Sequence, residues 1–268
     1  MDTFIILSIV LIFCYWFFKE DKPKVYLKYY LFDWDDNLLY MPTQVYLVDR
    51  YGKEFSLPTS EYAKIRKNMS EFGYRYLPDS FRDFRSGMIP FLVDVQNAKL
   101  GPSWNDFVEA INTGAFFGII TARGHDPKVF KETIKVFVNN GYKGISKHKL
   151  MESLKKRKEK ANETFTNYQD ELDSYLDNCL FYPVAYYNEN GSSSPEQLKK
   201  EQIQGFIQRM KNEVKRLNKE MRKRGDYKYK LVPKFGFSDD DLNNIDHSLS
   251  IKDLFVYSTH NGDKNRIK

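Results

Sequence analysis

The chain has 268 residues, of which 41% are hydrophobic and 16% aromatic, enough apolar matter for one sizeable core and too much for a disordered chain. Its formal net charge of +6 is a mild basic excess that suits an anionic substrate, an anionic membrane face or nucleic acid, and selects none of them. Two cysteines, Cys14 and Cys179, exclude a disulfide framework and a thiolate metal centre.

The run Phe4–Phe18, FIILSIVLIFCYWFF, carries no charge. As a helix it covers about 22 Å of a hydrocarbon core ~30 Å thick, and Met1 and a snorkelling Lys19 bring it closer to a full span. A cleaved signal peptide would want a basic start and small residues before the cleavage point. Here Asp2 occupies the start and Tyr15-Trp16-Phe17-Phe18 occupies the end, the latter resembling an interfacial aromatic belt. We therefore expect residues 1–18 to be a retained single-pass transmembrane helix, with the membrane contacted through residues 4–18. A buried core helix is the competing reading. Lys19, Lys22, Lys24 and Lys28 follow the span, which orients the C-terminal domain to the cytosolic side. Residues 19–28 read as a charged linker containing Pro23.

Beyond the linker, apolar runs alternate with helical patterns. Tyr29–Phe32 is a short buried-strand pattern ending abruptly in Asp33-Trp34-Asp35-Asp36-Asn37. Val45–Phe55, with Asp49-Arg50-Tyr51-Gly52 as its turn, reads as a hairpin, and helical stretches follow. Ala115–Ile120 is a second strand pattern, ending in Thr121-Ala122-Arg123-Gly124. Asp126-Pro127 opens a helix to about Asn139 that Gly141 closes, with His125 just before the cap. The highly charged stretch from Leu154 to about Asp177 reads as a solvated helix. Leu180–Tyr187 is a third apolar run, Pro195 starts a helix to about Arg224, and Leu231–Phe237 is a fourth run, ending in Ser238-Asp239-Asp240-Asp241. Strands alternating with helices predict an α/β fold, a parallel sheet flanked by helices.

Functional groups in such a sheet collect at the carboxyl ends of its strands. Two acid clusters meeting there repel unless a cation lies between them, and their hard oxygen ligands suit Mg²⁺. A carboxylate held against such an ion is also a competent nucleophile toward phosphorus.

FDWDDN at 32–37, IITARG at 119–124 and FSDDDLNN at 237–244, with a lysine early in the helix SPEQLKKEQIQGFI between the last two, resemble the four ordered motifs of the haloacid-dehalogenase superfamily. The resemblance implies a Rossmann-like core over residues 29–260, with a small cap insertion at about 45–113 and a tail at 261–268. It implies a phosphatase acting on a phosphorylated substrate. Asp33 would attack phosphorus and form an aspartyl-phosphate; Asp35 would protonate the leaving oxygen and then activate water. Thr121 would bind the phosphoryl group, and Lys200, with Lys199 as the near alternative, would offset its charge. Asp33, Asp239 and the backbone carbonyl of Asp35 would surround Mg²⁺, and Asp240 would support the metal or Lys200. Asn37 departs from the family, which has Thr or Val there. The interval between Asp35 and Thr121, about 85 residues, would form the cap that sets the substrate, with Arg82 and Arg85 as its basic candidates.

Two other readings stand beside the phosphatase. One is a non-catalytic interaction protein that keeps the fold, against which the cost of burying unused carboxylates counts. The other is a nucleic-acid end-processing phosphatase using the basic helix around Arg209–Lys230. Nucleic acid is not favoured there, because Met210, Val214, Leu217 and Met221 recur on one face as in a packing helix.

Deleting Met1–Phe18 is expected to release a soluble, folded and active domain, since every candidate residue lies after Lys28. Sedimentation and a melting curve of the truncated protein check this; an aggregated or unfolded product would make the segment part of a core.

Overall fold

The computed structural model describes residues 22–268 apart from 162, 189, 190, 192, 227 and 261. The expected span therefore lies outside the described residues, among which no helix is long and apolar enough to cross a membrane. In chain order the elements are β1 (Lys24–Phe32), β2 (Leu39–Tyr40), β3 (Gln44–Val48), β4 (Glu54–Pro58), α1 (Thr59–Ile65), β5 (Arg75–Tyr76), α2 (Met88–Asn97), β6 (Lys99–Leu100), α3 (Trp104–Asn112) and β7 (Phe117–Thr121). Then come α4 (Pro127–Asn140), α5 (Lys147–Ala161), α6 (Tyr168–Asp177), β8 (Leu180–Pro183), α7 (Val184–Tyr187), α8 (Pro195–Lys223), β9 (Lys230–Asp239), α9 (Leu242–Leu249), β10 (Leu254–Ser258) and β11 (Asn265–Arg266).

The central sheet has the order β11-β10-β9-β1-β7-β8. The pairs β1·β7, β7·β8 and β9·β10 are parallel. From β1 the chain steps outward to β7 and β8 on one side, and to β9 and β10 on the other. That reversal beside β1 is where ligands sit in open α/β sheets. All five residues of β7 are buried, as a strand covered on both faces requires. On one face Phe107 of α3 packs edge-on against Phe32 and Phe117, with ring centroids 5.7 and 5.3 Å apart. On the other, Tyr29 meets Phe206 of α8 and stacks on Phe235. Asp126 caps α4 by accepting from the Lys128 amide at 2.8 Å, and Gly141 ends the helix at φ +65°. Both follow the capping logic of the sequence.

Several boundaries differ from expectation. The linker expected at 19–28 is already strand from Lys24, because the alternating KVYLK continues the ladder. The charged stretch 154–177 lies on two helices with an inward face: Leu154, Leu172, Tyr175 and Leu176 join the main core. The tail expected at 261–268 contributes β11, antiparallel to β10 through Tyr257↔Arg266 and Ser258↔Asn265. The cap expected at 45–113 divides. Its first half is a small antiparallel sheet, β4-β3-β5, with a core of Val45, Leu47 and Met69 ringed by Phe55, Leu57, Tyr62, Ile65, Tyr74 and Phe84. Its second half, α2 to α3, buries Phe91, Val95, Trp104 and Phe107 in the main core. The hairpin appears where expected, with Gly52 at φ +84° in its turn.

The described residues form two compact units, residues 28–209 with 234–268, and residues 22–27 with 210–233. In the second, Asn218 exchanges two 2.9 Å hydrogen bonds with the backbone of Leu231, and the Lys230 amide donates to the Pro23 carbonyl. There Arg216 pairs with Glu213 and Glu220 of its own helix, so the basic face is partly self-neutralised.

His125 is buried against Phe91, ring centroids 4.7 Å apart, with Nε2 3.0 Å from the Ser86 hydroxyl. Burial, and then the charge of Arg123, push its pKa down to about 3 from 6.5. A depressed folded-state value means the unfolded chain takes up the proton first, so stability falls as pH drops below 6.5. The expected slope is about 1.4 kcal/mol per pH unit down to the folded value. Melting wild type and His125→Gln between those limits checks this; the variant should lose one proton's worth of the slope.

Candidate active site

The site is assembled at the carboxyl edge of β1 and β9. Phe32 is the last residue of β1, and Asp33 leaves the strand with its amide donating to the Ser238 carbonyl of β9 at 3.0 Å. Asp239 is the last residue of β9. Asn37, the departure noted in the sequence, locks this junction. Fully buried, it donates from Nδ2 to the carbonyls of Asp33 at 2.9 Å and Ser238 at 3.1 Å, while its Oδ1 accepts from Thr259 at 3.2 Å. The amide makes two donations and one acceptance at once; Thr has a single donor and Val has none. Gly101 supports the same loop from behind: a Cβ there would lie 2.4 Å from the Asn37 carbonyl oxygen.

Asp33, Asp239 and Asp240 each offer a carboxylate oxygen, all within 4.8 Å of one another. Asp33 and Asp239 are buried and Asp240 is partly so. Lys199 bridges two of them, its Nζ donating to Asp33 Oδ1 at 2.6 Å and Asp239 Oδ2 at 2.9 Å. Asn244 donates to both oxygens of Asp239, and the Asp241 amide donates to Oδ1. Desolvation first, then the neighbouring acids, push the Asp33 and Asp240 carboxyls well above their usual range. Burial disfavours the Lys199 ammonium, yet the charges of Asp239 and Asp33 hold it above the ordinary lysine value. Asp36, at φ +52°, accepts from the Thr59 hydroxyl at 2.8 Å; burial and the charge of Asp35 raise its pKa to about 6.

Of the two candidate lysines it is Lys199, not Lys200, that enters the site. The reason is helical phase. Ile203, Phe206 and Ile207 form the buried face of α8, and Lys199 continues that stripe while Lys200 is turned about 100° away. Thr121 ends β7, buried, two residues beyond the pair Phe32↔Ile119; its hydroxyl lies 3.4 Å from the Arg123 amide. The Asp35 side chain stands apart from the three clustered acids, in a bidentate pair with Arg123. Of the cap arginines, Arg82 is turned to Glu54, Asp79 and the Tyr46 ring, whereas Arg85 packs over Gly124 beside the Thr121 loop. The small sheet is tied to the site by Thr59–Asp36 and by the ion pair Arg66–Asp241 at 2.6 Å. A cavity of about 450 Å³ opens elsewhere, on the sheet face beside Lys28, Tyr30 and Gly236, and none of Asp33, Asp239 and Asp240 lines it.

Comparison with family models, curated proteins and solved structures found no match. Three acids on one edge with a single buried ammonium among them form a hard-oxygen set that fits a divalent cation.

Removing the ammonium should expose the repulsion it offsets. Lys199→Met is expected to destabilise the metal-free protein by about 3–5 kcal/mol, the cost of breaking a buried ion pair. Mg²⁺ should recover part of that loss. Lys200→Met should stay within about 0.5 kcal/mol of wild type, as a residue outside the core does. Chemical denaturation of both, with Mg²⁺ and with EDTA, measures this; equal losses would remove Lys199 from the site.

Proposed function

We propose that the protein is a membrane-anchored, Mg²⁺-dependent phosphohydrolase that acts on a phosphomonoester through an aspartyl-phosphate. The observation that carries this reading is the meeting of Asp33, Asp239 and Asp240 within 4.8 Å, beside the buried Lys199 ammonium, at the strand-order reversal. Asp33, Asp239 and Asp240 would hold Mg²⁺, with the Asp35 carbonyl as a further donor. When bound, the ion would neutralise the phosphate's negative charge. The residue pattern supports the reading independently, through its resemblance to the haloacid-dehalogenase superfamily.

In this reading Asp33 attacks phosphorus and the ester P–O bond breaks, the leaving oxygen taking a proton from Asp35. Asp35 then removes a proton from water, whose oxygen attacks the phosphorus of the acyl phosphate and frees Asp33 and inorganic phosphate. The Thr121 hydroxyl holds the phosphoryl group. Lys199 steadies Asp33 and offsets charge that develops on the phosphoryl oxygens. The anchor expected at residues 4–18 would keep this chemistry at a membrane, on the cytosolic side. The small sheet, tied down through Thr59 and Arg66, is the element that would choose the substrate.

A screen across phosphate esters, with Mg²⁺ and with EDTA, tests the proposal. Wild type should turn over at least one class in Mg²⁺ and none in EDTA. Asp33→Asn should remain folded and lose all but a few per cent of turnover. Full activity in that variant would remove the nucleophile and the mechanism with it.

A further inference from the structure

Arg123 has no role in the reading above, yet its side chain is wholly buried. Its guanidinium faces Asp35 as a fork, with Nε 2.8 Å from Oδ2 and Nη2 2.6 Å from Oδ1. Nη2 also donates to the Thr43 hydroxyl at 2.5 Å. Its Cζ lies 5.0 Å from the Phe84 ring centroid and 5.5 Å from that of Phe91. Thr43, buried in turn, immediately precedes β3, where the small sheet begins. The same loop grips the far end of that insert: the Gly124 amide donates to the Phe84 carbonyl at 3.0 Å, and His125 meets the Ser86 hydroxyl. The Thr121–His125 loop thus touches Asp35, the entrance to the insert and its exit.

We propose that Arg123 is the positioning residue of this site, fixing the Asp35 carboxylate through a fork that Thr43 holds at the entrance to the insert. The inference rests on the phosphohydrolase reading. Three features carry it. The contact is bidentate, so it fixes the plane of the carboxylate as well as its distance, which a lysine cannot do. The guanidinium is sealed from solvent and cannot itself meet a substrate. Its further donor contact is to the insert, so the placement of the small sheet and the orientation of Asp35 are set by one group. A carboxylate that must give a proton to the leaving oxygen and later take one from water needs that fixed orientation in both steps.

The test uses the full chain and the best substrate of the phosphate-ester screen, comparing wild type with Arg123→Ala, Arg123→Lys and Thr43→Val. Displacement of a reacting group by about 1 Å costs on the order of 100-fold, so Arg123→Ala should lose roughly 10- to 100-fold in kcat. KM should move less than kcat, because the guanidinium meets no substrate and the small sheet keeps its ties through Thr59 and Arg66. Free guanidinium should restore turnover to Arg123→Ala, and Arg123→Lys should recover little, since it lacks the fork. Thr43→Val, which leaves both partners of the pair in place, should lower kcat in the same direction. An Arg123→Ala protein that melts as a folded domain with unchanged kcat overturns the proposal. If that variant does not fold, an unchanged kcat in Thr43→Val overturns it. Should wild type hydrolyse no ester at all, the phosphohydrolase reading fails by itself. The pairing is then judged by a double-mutant cycle of melting curves for Asp35→Asn and Arg123→Ala: additive shifts overturn it, and coupled shifts uphold the fork without the reaction.

Discussion

Crowding of carboxylates at the ends of two neighbouring strands is the constraint on which the rest of this molecule depends. Asp33, Asp239 and Asp240 lie within 4.8 Å of one another, two of them buried, where like charges repel and desolvation is costly. One ammonium, from Lys199, answers two of them. To deliver it, α8 must start beside the site and present a single helical stripe from Lys199 through Ile203 to Ile207. To keep the two strand ends together, Asn37 must bond both backbones and Thr259 as well. The junction leaves almost no slack, since even a Cβ at Gly101 would come to 2.4 Å from the Asn37 carbonyl oxygen.

A second buried ion pair, Asp35–Arg123, lies beside the first and is kept apart from it. The division is chemically meaningful for a phosphoryl-transfer site. One carboxylate must be free to attack phosphorus while another handles protons, and separate cationic partners give the two acids separate environments. The small antiparallel sheet is tied into the same arrangement. Its own apolar core makes it a body in its own right, while Thr59, Arg66 and Thr43 fasten it to the Asp36, Asp241 and Arg123 side chains. In the proposed reaction, substrate choice and proton handling would thereby be attached to one piece of structure.

Much of this was legible from residues alone, for a definable reason. Buried strands are short apolar runs, and a strand that ends in several acids has no apolar reason to do so, which marked the clusters at 33–36 and 239–241; the resemblance then chose Asp33, Asp35, Asp239 and Asp240 among them. The helix from Asp126-Pro127 to Gly141 was legible because capping is local chemistry, carried by residues that are neighbours in the chain. The hairpin around Gly52 was legible for the same reason.

What only the tertiary structure decided depends on contacts between residues far apart in sequence. The choice of Lys199 over Lys200 was half written in the apolar spacing, since Lys199 lies four residues before Ile203, but only packing showed that this stripe faces the acids. Arg123 meets Asp35 across 88 positions and Thr43 across 80, so no spacing rule announces either bond. Where the insert stops and the main core resumes was likewise invisible, because α2 and α3 are amphipathic helices that would suit either body. Local sequence determined where chains turn, cap and end in acids; the burial of distant partners against one another determined which of those groups became a site.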